Sequence, residues 1–108
     1  MANTFKRFTS NGIGTSLAAI YTVPASTTAV IIGGVIANTD SSTTINTTIS
    51  VNDGSNEINL TGADTPIPSG TSLSFIDGKV VLQAGDVVKA SGSVTGKLDV
   101  LLSVMEIS

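Results

Sequence analysis

From Thr44 to Val51 the side chains alternate with period two, and this stretch limits the fold more than any other. Ile45, Thr47, Ile49 and Val51 share one face, and Asn46, Thr48 and Ser50 share the other. Successive side chains of a strand point to opposite faces, so the pattern predicts a half-buried β-strand. Asn52-Asp53-Gly54 follows as a hairpin turn, and Asn56 to Leu60 is expected to pair back with Ile58 and Leu60 facing in.

The rest of the chain reads the same way. Thr, Val and Ile favour strands because branching at Cβ restricts their rotamers in a helix. No window carries a sustained apolar stripe at helical spacing. Turn signals recur about every ten residues, the spacing of a sandwich or barrel. Strands are expected near Thr4 to Thr9, Ser16 to Val23 (stopped by Pro24), Thr28 to Asn38, Ser72 to Ile76, Lys79 to Leu82, Val87 to Ala90 and Lys97 to Ile107. Thr61 to Gly70, holding Pro66 and Pro68, reads as a loop. Within the apolar Thr28 to Asn38 segment, expected to be buried on both faces, Gly33-Gly34 predicts a bulge or a point where another backbone approaches closely. The last strand has Leu98, Val100, Leu102 and Val104 on one face, while Leu101, Met105 and Ile107 begin to fill the other. Such a strand must be central in its sheet or meet another subunit. The sum is a single all-β domain over 1–108, with eight or nine strands.

Composition sets what this domain can do. Aromatic residues are 4% of 108, so the core must be aliphatic and thin, which favours a partner subunit. Histidine and cysteine are both absent. That removes the usual general base, the catalytic triad, thiolate zinc sites and disulfides. The five basic residues offer no Ser-x-x-Lys spacing for a serine nucleophile. No enzymatic activity and no cofactor are therefore expected. Net charge is −3 and the only basic pair is Lys6-Arg7, too little to neutralise a run of phosphates, so nucleic acid is not an expected partner. The longest apolar run, Ala29 to Ala37, is too short to cross a bilayer, and the N-terminus lacks the apolar run of a signal peptide. No membrane contact is expected, and the chain reads as assembled in the cytoplasm.

Two carboxylate groupings remain, Asp53 with Glu57 and Asp77 with Asp86. Both sit in turns, where Asp beside Gly is ordinary turn chemistry; a weak calcium site is the alternative. Asn11-Gly12-Ile13-Gly14-Thr15 lacks the lysine and helix of a phosphate loop and reads as a turn. Phe5 and Phe8 form either a cap on the core or part of an N-terminal docking arm at 1–10.

Met-Ala-Asn-Thr-Phe-Lys at the start, Gly14-Thr15-Ser16, Ile20-Tyr21-Thr22-Val23-Pro24-Ala25, Val35-Ile36-Ala37-Asn38-Thr39, Pro66-Ile67-Pro68-Ser69-Gly70, Leu82-Gln83-Ala84-Gly85-Asp86-Val87-Val88 and Leu102-Ser103-Val104-Met105-Glu106-Ile107 together carry a resemblance. In that order and spacing the chain resembles small virion structural proteins of tailed bacteriophages, especially marine and cyanobacterial ones. The resemblance implies an antiparallel β-sandwich of jelly-roll type; an immunoglobulin-like sandwich would show the same alternation. It implies a place in the virion, with no catalytic residues. The leading expectation is a capsid decoration (cement) protein, a homotrimer or other small homo-oligomer bridging major capsid protein subunits. A tail, neck, baseplate or fibre component is the alternative. Phe5, Lys6, Arg7 and Phe8, with Met105 and Ile107 on the last strand, are the candidate interface.

Overall fold

The computed structural model describes residues 3–108, which form ten strands and, among the described residues, no helix. These are β1 (Asn3–Asn11), β2 (Ala18–Thr22), β3 (Thr28–Asn38), β4 (Ile45–Asn52), β5 (Glu57–Asn59), β6 (Thr65–Ile67), β7 (Ser72–Ser74), β8 (Val80–Leu82), β9 (Val87–Gly92) and β10 (Leu98–Ile107). They build two antiparallel sheets packed as a sandwich. Sheet I runs β1-β10-β3, with β7 and β8 end to end along the far side of β3. Sheet II runs β2-β9-β4, with β5 and β6 end to end along the far side of β4.

The aliphatic core expected from composition lies between the sheets. Ile31, Ile36, Leu98, Leu102 and Val104 from sheet I meet Ile45, Ile49, Ile67 and Val88 from sheet II, all essentially without solvent contact. Each such side chain contributes about 1.5–3 kcal/mol by leaving water. Tyr21 and Phe75 are the aromatic members of this core. Asn38, also buried, donates from Nδ2 to the carbonyls of Thr43 (2.9 Å) and Ile67 (2.8 Å) and accepts from the Asp40 N–H. A buried amide left unpaired would cost about 1–3 kcal/mol; this one ties two loops to the end of β3.

Four details differ from the sequence expectation. β3, expected to be buried on both faces, is covered on one, and Ile32 on its outer side is 41% exposed. The strands number ten, because the loop over Thr61 to Gly70 contains β6. Pro66 is tolerated there because β6 is an edge strand, so its missing N–H costs the ladder nothing on the open side. Ile58 is 52% exposed. It stands opposite Val51, on the inward side of the sheet, but at an edge where the other sheet no longer covers it. Ser50 faces outward yet is fully buried, because Glu57 lies over it and accepts its hydroxyl proton at 2.7 Å.

The Gly33-Gly34 pair forms the expected bulge, while the close approach is made by a side chain and not by a backbone. Ser103 stands opposite Gly33 and Val104 opposite Ile31, so Ile32 is the extra residue of a β-bulge. At Gly34 the ring of Phe75 lies where a side chain would begin: a Cβ there would be 2.6 Å from Cζ.

Candidate protein–protein interface

Antiparallel pairing fixes which side chains share a face. On sheet I, Phe5 stands opposite Met105, Met105 opposite Val30, and Val30 opposite Val81. These four form an apolar row across the whole outer face. Phe5 is 71% exposed and Val81 65%. Two rows further along, Thr9, Leu101, Val35 and Ser74 align in the same way. The bulge residue Ile32 is also exposed, between the two rows, and Ile107 lies at the end of the face beside Asn3. Beyond Leu101 the side chains become small. The row Asn11, Asp99, Ala37 and Ser72 leaves a hollow of about 390 Å³ lined by Thr9, Val35, Ala37, Asp99 and Leu101 among others.

The outer face of sheet II is the opposite in character. Thr48 stands beside Ser91, Ser50 between Lys89 and Asn59, and Asn52 between Val87 and Glu57. Lys89 Nζ reaches Glu57 at 3.0 Å, and Asn52 Nδ2 donates to the same carboxylate at 2.7 Å. Hydrogen bonds from Asn52 and Ser50, then the Lys89 ammonium, hold the Glu57 carboxyl at about 2. One face of the sandwich is therefore polar and internally paired, while the other presents apolar rows with Arg7, Ser103 and Gly33 aligned between them. Soluble monomers seldom expose such patches; they mark contact sites.

The structure divides the six interface candidates. Phe5, Arg7, Met105 and Ile107 fall on the outer face of sheet I. Lys6 and Phe8 do not: they point between the sheets. Phe8 packs on Tyr21 with ring centroids 4.4 Å apart, and Lys6 Nζ pairs with Glu106 Oε1 at 2.9 Å. Strand parity explains the split, since residues three apart on a strand lie on opposite faces. The docking arm expected at 1–10 is, from Asn3 onward, a strand of the sandwich paired with β10 along its length; Met1 and Ala2 lie outside the described residues. Val30, Ile32, Val81 and Leu101 belong to the same face and were not among the candidates. The signal for Val30, Ile32 and Leu101 was present, because β3 and β10 carry apolar residues on both sides, and that for Val81 lay in the apolar run Val80-Val81-Leu82 of β8.

Of the four grouped carboxylates, Asp53, Glu57 and Asp86 are engaged locally. Asp53 accepts the N–H groups of Ser55 and Asn56, and Asp86 accepts that of Gln83, each closing its own turn. Among the described residues no group of three or more acidic side chains is placed to hold a metal ion.

The fold and this surface define a class: an all-β sandwich with one polar and one largely apolar outer face. Comparison with protein-family models and with curated proteins finds no match. A solved structure does match: a Bacillus endospore appendage protein, from a novel family of disulfide-linked pili, aligns over 98% of this chain and 88% of its own, with a TM-score of 0.56 and 15% identity. At that identity the likeness is one of fold.

Proposed function

We propose that the chain is a virion structural protein of a tailed bacteriophage, a capsid decoration (cement) protein that works by protein–protein contact and carries out no catalysis. The observation that carries this reading is the contrast between the two outer faces. An apolar face spanning four strands is costly to leave in water, whereas a subunit that spends its working life against neighbours has it covered. Many modest contacts repeated over a particle add through effective concentration, which suits a small thin-cored domain. The partners in this reading are further copies of the chain, as a homotrimer or other small homo-oligomer, and the major capsid protein.

The strand order supports the finer, jelly-roll reading of the fold. From β1 to β4 consecutive strands alternate between the sheets, and β10 closes between β1 and β3 while β9 closes between β2 and β4. That nesting is what two interlocked Greek keys produce.

A tail, neck, baseplate or fibre component is the second reading. What favours it is that the fold neighbour belongs to a pilus, an extended polymer. This chain has no cysteine, so any comparable assembly would be held without disulfides. Antibody labelling of intact particles, viewed by electron microscopy, separates the two. Label over the heads supports decoration, label confined to tails supports the second reading, and unlabelled particles overturn both.

A further inference from the structure

We infer that the apolar outer face of sheet I is covered by a second copy of this chain, the two packing face to face about a two-fold axis. The inference deepens the structural-subunit reading by naming which surface meets which partner.

Area is the first argument. Four strands at about 4.8 Å spacing and about nine residues at about 3.4 Å rise give a face of roughly 19 by 30 Å. That is roughly 600 Å² per copy and 1,200 Å² for the pair, the lower end of what specific stable interfaces bury. The patch has no room for a second comparable partner, so one copy saturates it.

Charge is the second. On the strands of this face the charged residues among those described are Arg7, at the β1 edge in the row between Phe5 and Thr9, and Asp99, in the row beyond Leu101. The face is neutral, although the chain carries −3. Two copies can therefore approach here without the repulsion their net charge would produce elsewhere.

Shape is the third. The Phe5-Met105-Val30-Val81 row is a ridge, and the small side chains around Ala37 and Asp99 leave the hollow. A two-fold axis crossing β10 between Leu101 and Ser103 sets each ridge over the other copy's hollow and brings each Arg7 towards the other's Asp99. A single self-complementary patch closes as a two-fold dimer; a ring would require two different patches.

The free edge of β1 is a poorer place for self-association. Lys6 points inward on this edge strand and is held by Glu106, a placement that disfavours addition of another strand.

Sedimentation velocity over the micromolar range tests the inference, using the intact chain and three variants. Phe5→Lys and Val81→Lys change exposed ridge positions; Ile58→Lys changes an exposed apolar residue on sheet II. The expected result is a dimer for the native chain and Ile58→Lys, with dissociation constants raised about tenfold or more in Phe5→Lys and Val81→Lys. Thermal unfolding of each variant shows whether loss of the dimer occurs in a folded chain. If the ridge variants unfold, Phe5→Thr and Val81→Thr, which keep strand propensity while reducing apolar area, take their place. A native chain that stays monomeric overturns the inference, as does a dimer indifferent to both ridge variants. A monomer whose Val81→Lys form no longer labels particles also overturns it, and assigns the face to a capsid or tail protein. A dimer that labels no particle retains this inference and removes the virion reading.

Discussion

Tyr21 Oη donates a 2.6 Å hydrogen bond to Glu106 Oε2, joining β2 of one sheet to β10 of the other across 85 positions of sequence. Lys6 Nζ holds the other oxygen of the same carboxylate at 2.9 Å. Three strands, β1, β2 and β10, are thus fastened at one point on the rim of the core. Tyr21→Phe removes one donor to a charged acceptor and is expected to lower unfolding free energy by about 1–3 kcal/mol, measured by urea denaturation. An unchanged midpoint would mean that water replaces the hydroxyl without loss.

The same cluster sets a pH window. The Tyr21 hydrogen bond, then Lys6, lowers the Glu106 carboxyl below its ordinary value. A lowered carboxyl stabilises the fold above its unfolded pKa, near 4.5, and that contribution is lost as pH falls through the folded value. Burial, then the Glu106 carboxylate, raises the Tyr21 hydroxyl well above 10.0. A raised group contributes fully below its unfolded pKa and loses that contribution as pH climbs beyond it. Stability against pH should therefore be level at neutrality and fall on both sides, and Glu106→Gln should make the acid limb shallower without abolishing it, because Glu57, Asp40 and Asp53 are lowered as well. An acid limb identical in that variant would place its origin elsewhere.

Gly34→Ala should be destabilising out of proportion to its size. The added carbon would lie 2.6 Å from Phe75 Cζ and 2.8 Å from Cε2, both in the core. Overpacking of this kind costs about 1–3 kcal/mol. Pairing it with Phe75→Leu should recover part of the loss, and a double-mutant cycle in thermal unfolding measures the coupling.

Lys6→Val should raise aggregation. It exchanges an inward charge on an edge strand for an apolar, strand-favouring residue and takes one partner from Glu106. Light scattering at fixed concentration should rise over time for Lys6→Val and stay low for Lys6→Arg, which keeps the charge.

Glu57 should titrate at about 2 in an NMR pH series. Asn52→Ala, which removes the largest of its supports, should move that titration towards the ordinary carboxylate range more than Lys89→Met does.

Much of the sandwich was legible because strand parity and turn chemistry are local. Thr28 to Asn38 is bounded as its composition predicts, and the Asn52-Asp53-Gly54 turn joins β4 to β5. What failed depends on contacts distant in sequence. Ile58 keeps its inward side yet lacks cover, because the reach of the opposite sheet cannot be read from alternation. Pro66 argues against a strand unless its position at an edge is known. Phe5 and Phe8 look alike in sequence, and their odd spacing already separates them in any strand. Which of them faces out is decided only by pairing with β10, where Phe8 stands opposite the buried Leu102 and Phe5 opposite Met105.

The position of β10 between β1 and β3 has a consequence for synthesis. A ribosome delivers β10 after both strands it pairs with, so β1 waits without a neighbour and β3 has only the short β7 and β8 beside it while the chain is being made. Sheet I can close only when its middle arrives, which makes folding a late, collective event with long loops to close first. A nascent chain stalled before Leu98 should therefore leave β1 unpaired and β3 open along its β10 side, and a protease should find β1 accessible until β10 is inserted.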